Sequence, residues 1–434
     1  MMKHIRNSLI ICLAFIFVLV LTSCVNTVPG LPLDTPEVTI SETGLASWKA
    51  VAKAAGYKYV IDNGAEQLTV ATSVQLQDGQ EIKVKAVADG DNTDSEYSAP
   101  VKYVAPVVTG LPLNATGYYM KNSDLIQEGD VRYLTYITNK TQGGDDNVVA
   151  VAKATKHAEG WVYEEQVVVL EGTVEGWDEY ITSATIVKGE FSYQGQAYSY
   201  LMAYAATSKS SEICNEIGFA VSNSPVETFV KVGAEPVIRY NSEIYNNFGG
   251  CTSPSAINYN KVSGIRIFYT YADAYGAFAR FYDFDCSNLD NVERLDASRT
   301  IHITNKGNLQ GGEDVLMFPN ADFVYNAAEG TFECVKDVSP AGATNPQVAT
   351  AIELAFIAEA ELYTTDVETG FVSLGAYDGF DLGTTYERVY NATLVSDEYG
   401  HALDIMEVVY TVSELQIDNE DYLYTQHLLE LVIE

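Results

Sequence analysis

The chain has 434 residues, of which 59 are acidic and 25 are Lys or Arg, so its formal net charge is −34. Hydrophobic residues make up 47% and charged residues 19%, which excludes a wholly disordered acidic chain and allows buried cores in about two or three domains. The acidic excess argues against nucleic-acid binding, which needs clustered Lys and Arg. Tyrosine is frequent, with 30 residues, and suits both half-exposed β-strands and surfaces that contact sugars.

The first 23 residues have the features of an export signal. Lys3 and Arg6 precede an apolar run from Leu9 to Leu21 that is short for a membrane span. The run ends in Leu21-Thr22-Ser23-Cys24, which resembles the bacterial lipoprotein signal. That resemblance implies a lipid on Cys24 that holds the mature chain at the extracellular face of the bacterial cell membrane. An ordinary signal peptide with a chance cysteine is the alternative.

Four further cysteines follow: Cys214, Cys251, Cys286 and Cys334. An exported chain can form disulfides, but the spacing is wide and irregular, so disulfides and free thiols both remain open. No pair has the Cys-x-x-Cys spacing of a zinc site, and the sequence predicts no metal site there.

Residues 24–33 are assigned to a linker and residues 34–104 to an all-β domain. Short alternating strands are separated by Gly, Asp and Asn, as in a two-sheet sandwich. Trp48, the segment Ala55-Gly56-Tyr57-Lys58-Tyr59 and the closing segment Asp94–Ser98 resemble a fibronectin type III domain. The resemblance implies an immunoglobulin-like spacer or adhesive module, with Trp48 in the core between its sheets.

Residues 105–434 contain a long-period repeat. An aromatic strand recurs every 65 to 67 residues, as Tyr133–Ile137, Tyr200–Tyr204, Ile265–Tyr269 and Phe332–Val335. About 66 residues per repeat gives five units, the last over about 370–434 with Met406–Tyr410 as a strand. Repeated four-stranded units predict a five-bladed β-propeller. The one helix predicted here is Gln347–Glu361, which is rich in Ala, Ile and Leu.

This part of the chain resembles the propellers of arabinanases, β-xylosidases and fructan-cleaving enzymes. The segments that carry the resemblance are Ile186–Gly195, Ile217–Asn223, Phe248–Ile257 and Asn320–Tyr325. The resemblance implies glycoside cleavage by a pair of carboxyl groups on the innermost strands, at the mouth of a central channel. In the family, an acid followed by Pro typically opens the inner strand of the first blade.

The chain departs from that pattern. The first repeat has no Asp-Pro, and its acid, Asp124, comes about two positions late, as does Asp322 in the fourth. A shift of two preserves strand parity, so both side chains are expected to face the channel. Glu190 is a third catalytic candidate. The candidate substrate-binding residues are Trp177, Ser183, Ser253 and Asn320, and Trp177 can equally be a packing residue.

One segment has oxygen ligands at alternate positions, as calcium loops do: Asp283 to Asp290. It lacks the Gly and the terminal Glu of an EF-hand, so turn formation is the favoured interpretation and calcium a minor alternative.

Three functions follow from the sequence. The first is recognition of an extracellular glycan by a lipid-anchored propeller with degenerate catalytic residues. The second is hydrolysis of arabinan-, xylan- or fructan-type polysaccharide. The third is a structural or adhesive surface role. The partners implied are glycan and membrane, with no nucleic acid.

Overall fold

The computed structural model describes residues 30–41, 44–77, 79–90, 92–103, 107–110, 117–157, 160–208, 214–240, 249–273, 276–295, 301–303, 318–338, 348–362, 370–414 and 425–433. They divide into two compact units, on either side of the Ala105–Pro106 bond. The signal segment, Cys24 and linker residues 25–29 lie outside the described residues. No helix in the described ranges is long and apolar enough to cross a membrane.

The first unit consists of two antiparallel sheets. Its strands are β1 (Val38–Ile40), β2 (Leu45–Trp48), β3 (Ala54–Ile61), β4 (Gln67–Thr69), β5 (Ser73–Gln75), β6 (Glu81–Ala88) and β7 (Val101–Lys102). One sheet has the order β1-β2-β5 and the other β4-β3-β6-β7. Both sheets contribute to one apolar cluster, in which Trp48 is 5% exposed and meets Tyr57 edge-on at 5.4 Å between ring centroids. The core position predicted for Trp48 is confirmed.

The second unit opens with β8 (Val107–Gly110) and continues with five groups of strands. Group one is β9 (Lys121–Glu128), β10 (Val131–Asn139), β11 (Asn147–His157), β12 (Gly160–Tyr163) and β13 (Val167–Glu171). Group two is β14 (Tyr180–Tyr193), β15 (Gln196–Thr207), β16 (Cys214–Ser222) and β17 (Val230–Lys231). Group three is β18 (Gly249–Asn258), β19 (Gly264–Asp273), β20 (Gly276–Asp285), β21 (Glu293–Arg294) and β22 (Ile301–Ile303).

Group four is β23 (Asp322–Asn326), β24 (Thr331–Val338), β25 (Ala351–Ala358) and β26 (Val372–Asp378). Group five is β27 (Arg388–Leu394), β29 (Met406–Ser413) and β30 (His427–Ile433), while the short β28 (Ser396–Asp397) pairs with β9 of group one. A two-residue parallel pairing of β16 with β18 joins groups two and three. Nearly every described element is a strand, so the all-β prediction is confirmed.

The predicted repeat corresponds to one strand position. The recurring aromatic strands lie in β10, β15, β19 and β24, and Met406–Tyr410 lies in β29, so each is the second long strand of its group. These strands occupy the middle of their sheets and are buried on both faces, which explains why their apolar composition repeats.

The helix predicted for Gln347–Glu361 is wrong over most of its length. Ala351–Ala358 forms β25, which pairs with β24 on one side and β26 on the other, and only Glu359–Leu362 forms a short helix, α1. Ala, Leu and Glu are good helix formers, but intrinsic helix propensity is worth less than about 1 kcal/mol per residue, and burial in the middle of a sheet overrides it.

The pairing of the first and last strands of the second unit is not apparent from the sequence: β8 pairs with β30 and completes group five. One boundary also differs from the sequence prediction. Val372–Asp378, placed in the fifth unit by sequence, pairs with β25 and belongs to group four. Strands from both ends of the second unit therefore share one sheet.

A buried ion cluster ties group one to group five. Arg132 on β10 is 1% exposed and bonds Glu430 at 2.8 Å and Glu407 at 2.6 Å, through its two terminal nitrogens. The Arg132 guanidinium lies over the Trp161 ring, with its carbon 4.2 Å from the ring centroid. The four cysteines left open by the sequence are free thiols, and Cys251, Cys286 and Cys334 are buried.

Candidate functional site

The first strands of all five groups meet around a small cavity. Its volume is about 30 Å³, which is room for one or two water molecules. The lining residues are small or polar and come from equivalent places on the five strands: Asn122, Ser123, Asp124, Ser183, Ala184, Ser253, Pro254, Asn320, Ala321, Asp322, Asn391, Ala392 and Thr393.

A three-residue pattern repeats in these strands. Asn or Ser is followed by one residue and then by Asp, Ser or Thr, after which come two apolar residues. The first position forms what we call the outer ring: Asn122, Ser183, Ser253, Asn320 and Asn391. The third position forms the inner ring: Asp124, Thr185, Ser255, Asp322 and Thr393.

The backbone of the outer ring is unusual. Asn122, Ser253, Asn320 and Asn391 have φ between 46° and 52°, in the left-handed region. Strand register shifts at the outer-ring segment in four groups, those of β9, β14, β18 and β27. Asn tolerates this conformation better than most residues, whereas Ser253 is held in it at a cost. Left-handed residues and β-bulges of this kind cluster at functional sites.

Three inner-ring side chains bond their own first strand to the first strand of the following group. Asp124 Oδ2 accepts from the backbone N–H of Ile186 at 2.9 Å, and Asp322 Oδ2 accepts from that of Leu394 at 2.8 Å. Ser255 Oγ makes the equivalent contact with the N–H of Phe323 at 3.0 Å. In each case the donor is the residue that follows the inner-ring member of the next strand, so these side chains join the strands to one another.

The outer ring forms a hydrogen-bond circuit. Asn391 Nδ2 donates to Asn122 Oδ1, and Ser253 Oγ donates to Asn320 Oδ1 at 3.0 Å. Asp337, on the second strand of group four, accepts from Asn320 Nδ2 at 2.8 Å and from the N–H of Asn391 at 2.7 Å. The amide and hydroxyl groups at the mouth are thereby fixed in position before any ligand arrives.

Three carboxyl groups of this region have raised pKa values. Burial, with a contribution from the nearby carboxyl of Asp322, raises the pKa of Asp124 to about 7. Burial raises the pKa of Asp322 and raises that of Asp337 to about 7, against the hydrogen bonds that each accepts. Removal of a carboxylate from water has this effect, and for Asp337 it outweighs the opposing charges of Arg388 and Lys336.

The structure brings most of the predicted site residues together. Asp124, Asp322, Ser183, Ser253 and Asn320 all line the cavity. Glu190 does not line it: the residue is exposed, and its N–H donates to the carbonyl of Val262 at 2.7 Å.

Trp177 also lies away from the cavity lining. Its ring stacks on Tyr204 with centroids 5.6 Å apart and packs against the core shared by groups one and two. A Cβ on Gly218 would come within 2.7 Å of the Trp177 ring, so the absence of a side chain there makes room for it. These contacts are those of a packing residue.

Neither a family model nor a curated protein matches the sequence. Solved structures with a similar fold include glycoside hydrolases. An α-L-arabinofuranosidase from Lactobacillus brevis is 10% identical over 75% of this chain and 93% of that one, with a TM-score of 0.49. An endo-arabinase from Bacteroides thetaiotaomicron is 12% identical over 75% and 97%, with a TM-score of 0.43. A family 117 glycoside hydrolase from Zobellia galactanivorans is 11% identical over 75% and 89%, with a TM-score of 0.47. Similarity at this level does not establish an activity.

Six residues of the site were not predicted from the sequence: Asn122, Thr185, Ser255, Asn391, Thr393 and Asp337. The recurring Asn/Ser-x-Asp/Ser/Thr pattern could have found the first five, had it been followed through all five repeats. Asp337 comes from a second strand and carries no such signal.

The proposed calcium segment uses its oxygens locally. Asp285 Oδ1 accepts from the N–H of Ser287, Asn288 Oδ1 accepts from that of Asp290, and Asp283 pairs with Arg266. Within the described ranges, no group of three or more His, Cys, Asp or Glu side chains is arranged to hold a metal ion. These contacts agree with the turn interpretation.

Proposed function

We propose that the chain is a lipid-anchored surface protein that binds glycan without cleaving it. In this proposal the second unit is a five-bladed propeller whose blades are the five strand groups. The first unit is a fibronectin type III-like spacer, and Cys24 carries the anchor. The convergence of five first strands on one cavity supports the propeller, as does the completion of group five by β8.

The observation that carries the proposal is that the inner-ring carboxyls already accept hydrogen bonds from the protein backbone. Asp124 and Asp322 are bound to backbone N–H groups of the next strand, beside a cavity of about 30 Å³. Hydrolysis needs one carboxyl that can protonate a leaving group and another that can reach the sugar or a water. One oxygen of each carboxyl already accepts a backbone hydrogen bond, and the space beside the two carboxyls is narrow.

The outer ring supports glycan binding at the same cavity. It presents neutral amide and hydroxyl groups at the positions where the sequence resembles glycosidases. They are held by the circuit through Asp337 and by a left-handed backbone. Groups fixed in advance lose little freedom when they bond a sugar hydroxyl.

Hydrolysis is the second candidate. Asp124 and Asp322 line one cavity, and burial raises the pKa of Asp124 to about 7, as a general acid at neutral pH requires. For this candidate to hold, the outer ring must open to admit a sugar.

A glycan array on the full chain, with hydrolysis assays on arabinan, xylan and fructan, tests the proposal. We expect binding to at least one glycan with no release of reducing ends. Asn320→Ala and Asn391→Ala should weaken that binding, whereas Glu190→Gln, an exposed change outside the cavity, should not. Absence of binding to every glycan would overturn the proposal.

A further inference from the structure

A second, larger cavity lies toward the carboxyl ends of β18 and β23. Its volume is about 300 Å³, at the lower end of the range for small-molecule sites, which runs from roughly 300 to 1,000 Å³. Groups three and four both contribute to it, and it shares no residue with the cavity at the outer ring. The residues that matter for its chemistry are Tyr259, Arg266, Asp283, Tyr325, Phe332 and Glu359.

A buried arginine forms one wall. Arg266 is 5% exposed, and its Nε and Nη2 bond the two carboxylate oxygens of Asp283 at 2.7 and 2.8 Å. Its guanidinium also lies 4.6 Å from the ring centroid of Phe281 and 5.3 Å from that of Phe332. The bidentate pair and the two rings fix this wall.

Another part of the lining combines a carboxylate with aromatic rings. Glu359 Oε2 accepts from the hydroxyl of Tyr325 at 3.0 Å, and the Tyr325 ring packs on the buried Phe332 at 5.0 Å between centroids. Tyr259, which is 40% exposed, also lines the cavity. The cavity thus presents the exposed ring of Tyr259 together with carboxylate oxygens held in place.

The charges of the walls restrict the ligand. Two carboxylates, Asp283 and Glu359, would repel an anion. The one guanidinium, that of Arg266, already pairs with Asp283 through two hydrogen bonds. A metal ion is disfavoured because no described group of three acidic, His or Cys side chains is arranged to hold one. A neutral ring with an apolar face and a polar edge matches, since the face stacks on aromatic side chains and hydroxyls donate to carboxylates.

We propose that this cavity binds one neutral sugar ring, independently of the outer ring. The sugar ring stacks against Tyr259, and its hydroxyls donate to Asp283 and Glu359. This second saccharide site does not depend on the proposed function at the mouth, because the two cavities have no residue in common.

Saturation-transfer NMR titrations of the full chain test it. The neutral probes are methyl α-L-arabinofuranoside, methyl β-D-xylopyranoside, methyl β-D-fructofuranoside and methyl β-D-glucopyranoside. Methyl β-D-glucuronide is the anionic counterpart of the glucopyranoside. We expect at least one neutral glycoside to bind and the glucuronide to bind no better than the glucoside. Tyr259→Ala should weaken binding about tenfold and Tyr259→Phe much less, because the ring provides the contact.

Two further variants make the result specific. Glu359→Gln should weaken binding while keeping an oxygen for the Tyr325 hydroxyl, and thermal unfolding checks that each variant is folded. Phe380→Ala removes an aromatic ring that is 91% exposed and is not part of the lining, and should leave binding unchanged. Absence of binding by every probe overturns the proposal. Binding that survives Tyr259→Ala but is lost in Asn391→Ala also overturns it, and assigns the sugar to the outer ring instead.

Discussion

The carboxylate of Asp124 accepts a hydrogen bond from the backbone N–H of Ile186, 62 residues later, at 2.9 Å. Asp322 repeats the relationship with Leu394 at 2.8 Å, and Ser255 repeats it with Phe323. An inner-ring side chain thus makes the same hydrogen bond to the next strand whether it carries a carboxyl or a hydroxyl group. The acids that attract attention in the sequence connect strands, which is why we assign them to the architecture and not to catalysis.

The pH dependence of stability should report the buried acid at this position. In the folded chain the pKa of Asp124 is raised to about 7 from its ordinary value of 3.8. Between about pH 4 and pH 7 the unfolded chain loses that proton while the folded chain keeps it, so stability falls as pH rises through this window. Asp124→Asn removes the contribution, so urea midpoints of the variant should fall less from about pH 5 to about pH 8.

The exposed Glu190→Gln is the control for that comparison and should follow the unmodified chain. Burial also raises the pKa of Asp337 to about 7. The stability of the Asp124→Asn variant should therefore still fall somewhat as pH rises. Identical slopes for the unmodified chain and Asp124→Asn would refute the buried-acid interpretation.

The strand connection made by Asp322 predicts a graded cost. Asp322→Ala leaves the N–H of Leu394 and the hydroxyl of Thr393 without their acceptor and should lower the free energy of unfolding by about 1–3 kcal/mol. Asp322→Asn keeps an amide oxygen and should cost less. Chemical denaturation measures both, and equal costs would show that the acceptor is not what matters.

Arg132 should be far more important for stability than a surface arginine. Arg132→Met leaves Glu407 and Glu430 without their cation and should cost about 3–5 kcal/mol. Arg239→Met removes an exposed pair with Glu235 and should cost at most about 1 kcal/mol. The two variants remove the same charge, so similar denaturation midpoints would contradict the role given to the buried cluster.

Trp177 should behave as a packing residue. Trp177→Ala removes the ring that stacks on Tyr204 and should lower the free energy of unfolding by about 3 kcal/mol. The folded variant should keep its affinity for any glycan that the full chain binds. A variant that is fully stable but has lost glycan affinity would restore Trp177 as a sugar platform.

The fold was readable where the sequence repeats. Central strands such as β10 and β15 are buried on both faces, so burial alone selects their apolar and aromatic residues at a regular interval. The segment 351–358 was misread because its Ala, Leu and Glu residues suit a helix, and only pairing with β24 and β26 decides otherwise. The pairing of β8 with β30 was also out of reach, because it joins residues more than 300 positions apart.

The site was readable in part for a similar reason. Strand parity correctly placed Asp124 and Asp322 at the cavity. Parity gives direction only: it could not show that their oxygens bond the next strand, or that Asp337 completes the outer ring from a different strand. Glu190, the third catalytic candidate, lies on the same strand as Ser183 but outside the cavity, because β14 continues past the cavity.

The most direct test measures binding and bond cleavage on the same glycan. The full chain is incubated with arabinan, xylan and fructan, and bound polysaccharide and newly formed reducing ends are quantified in each sample. We predict retention of at least one polysaccharide, weakened by Asn391→Ala, with no reducing ends above a protein-free control. Release of reducing ends that disappears in both Asp124→Asn and Asp322→Asn would contradict the account and make the inner-ring acids catalytic.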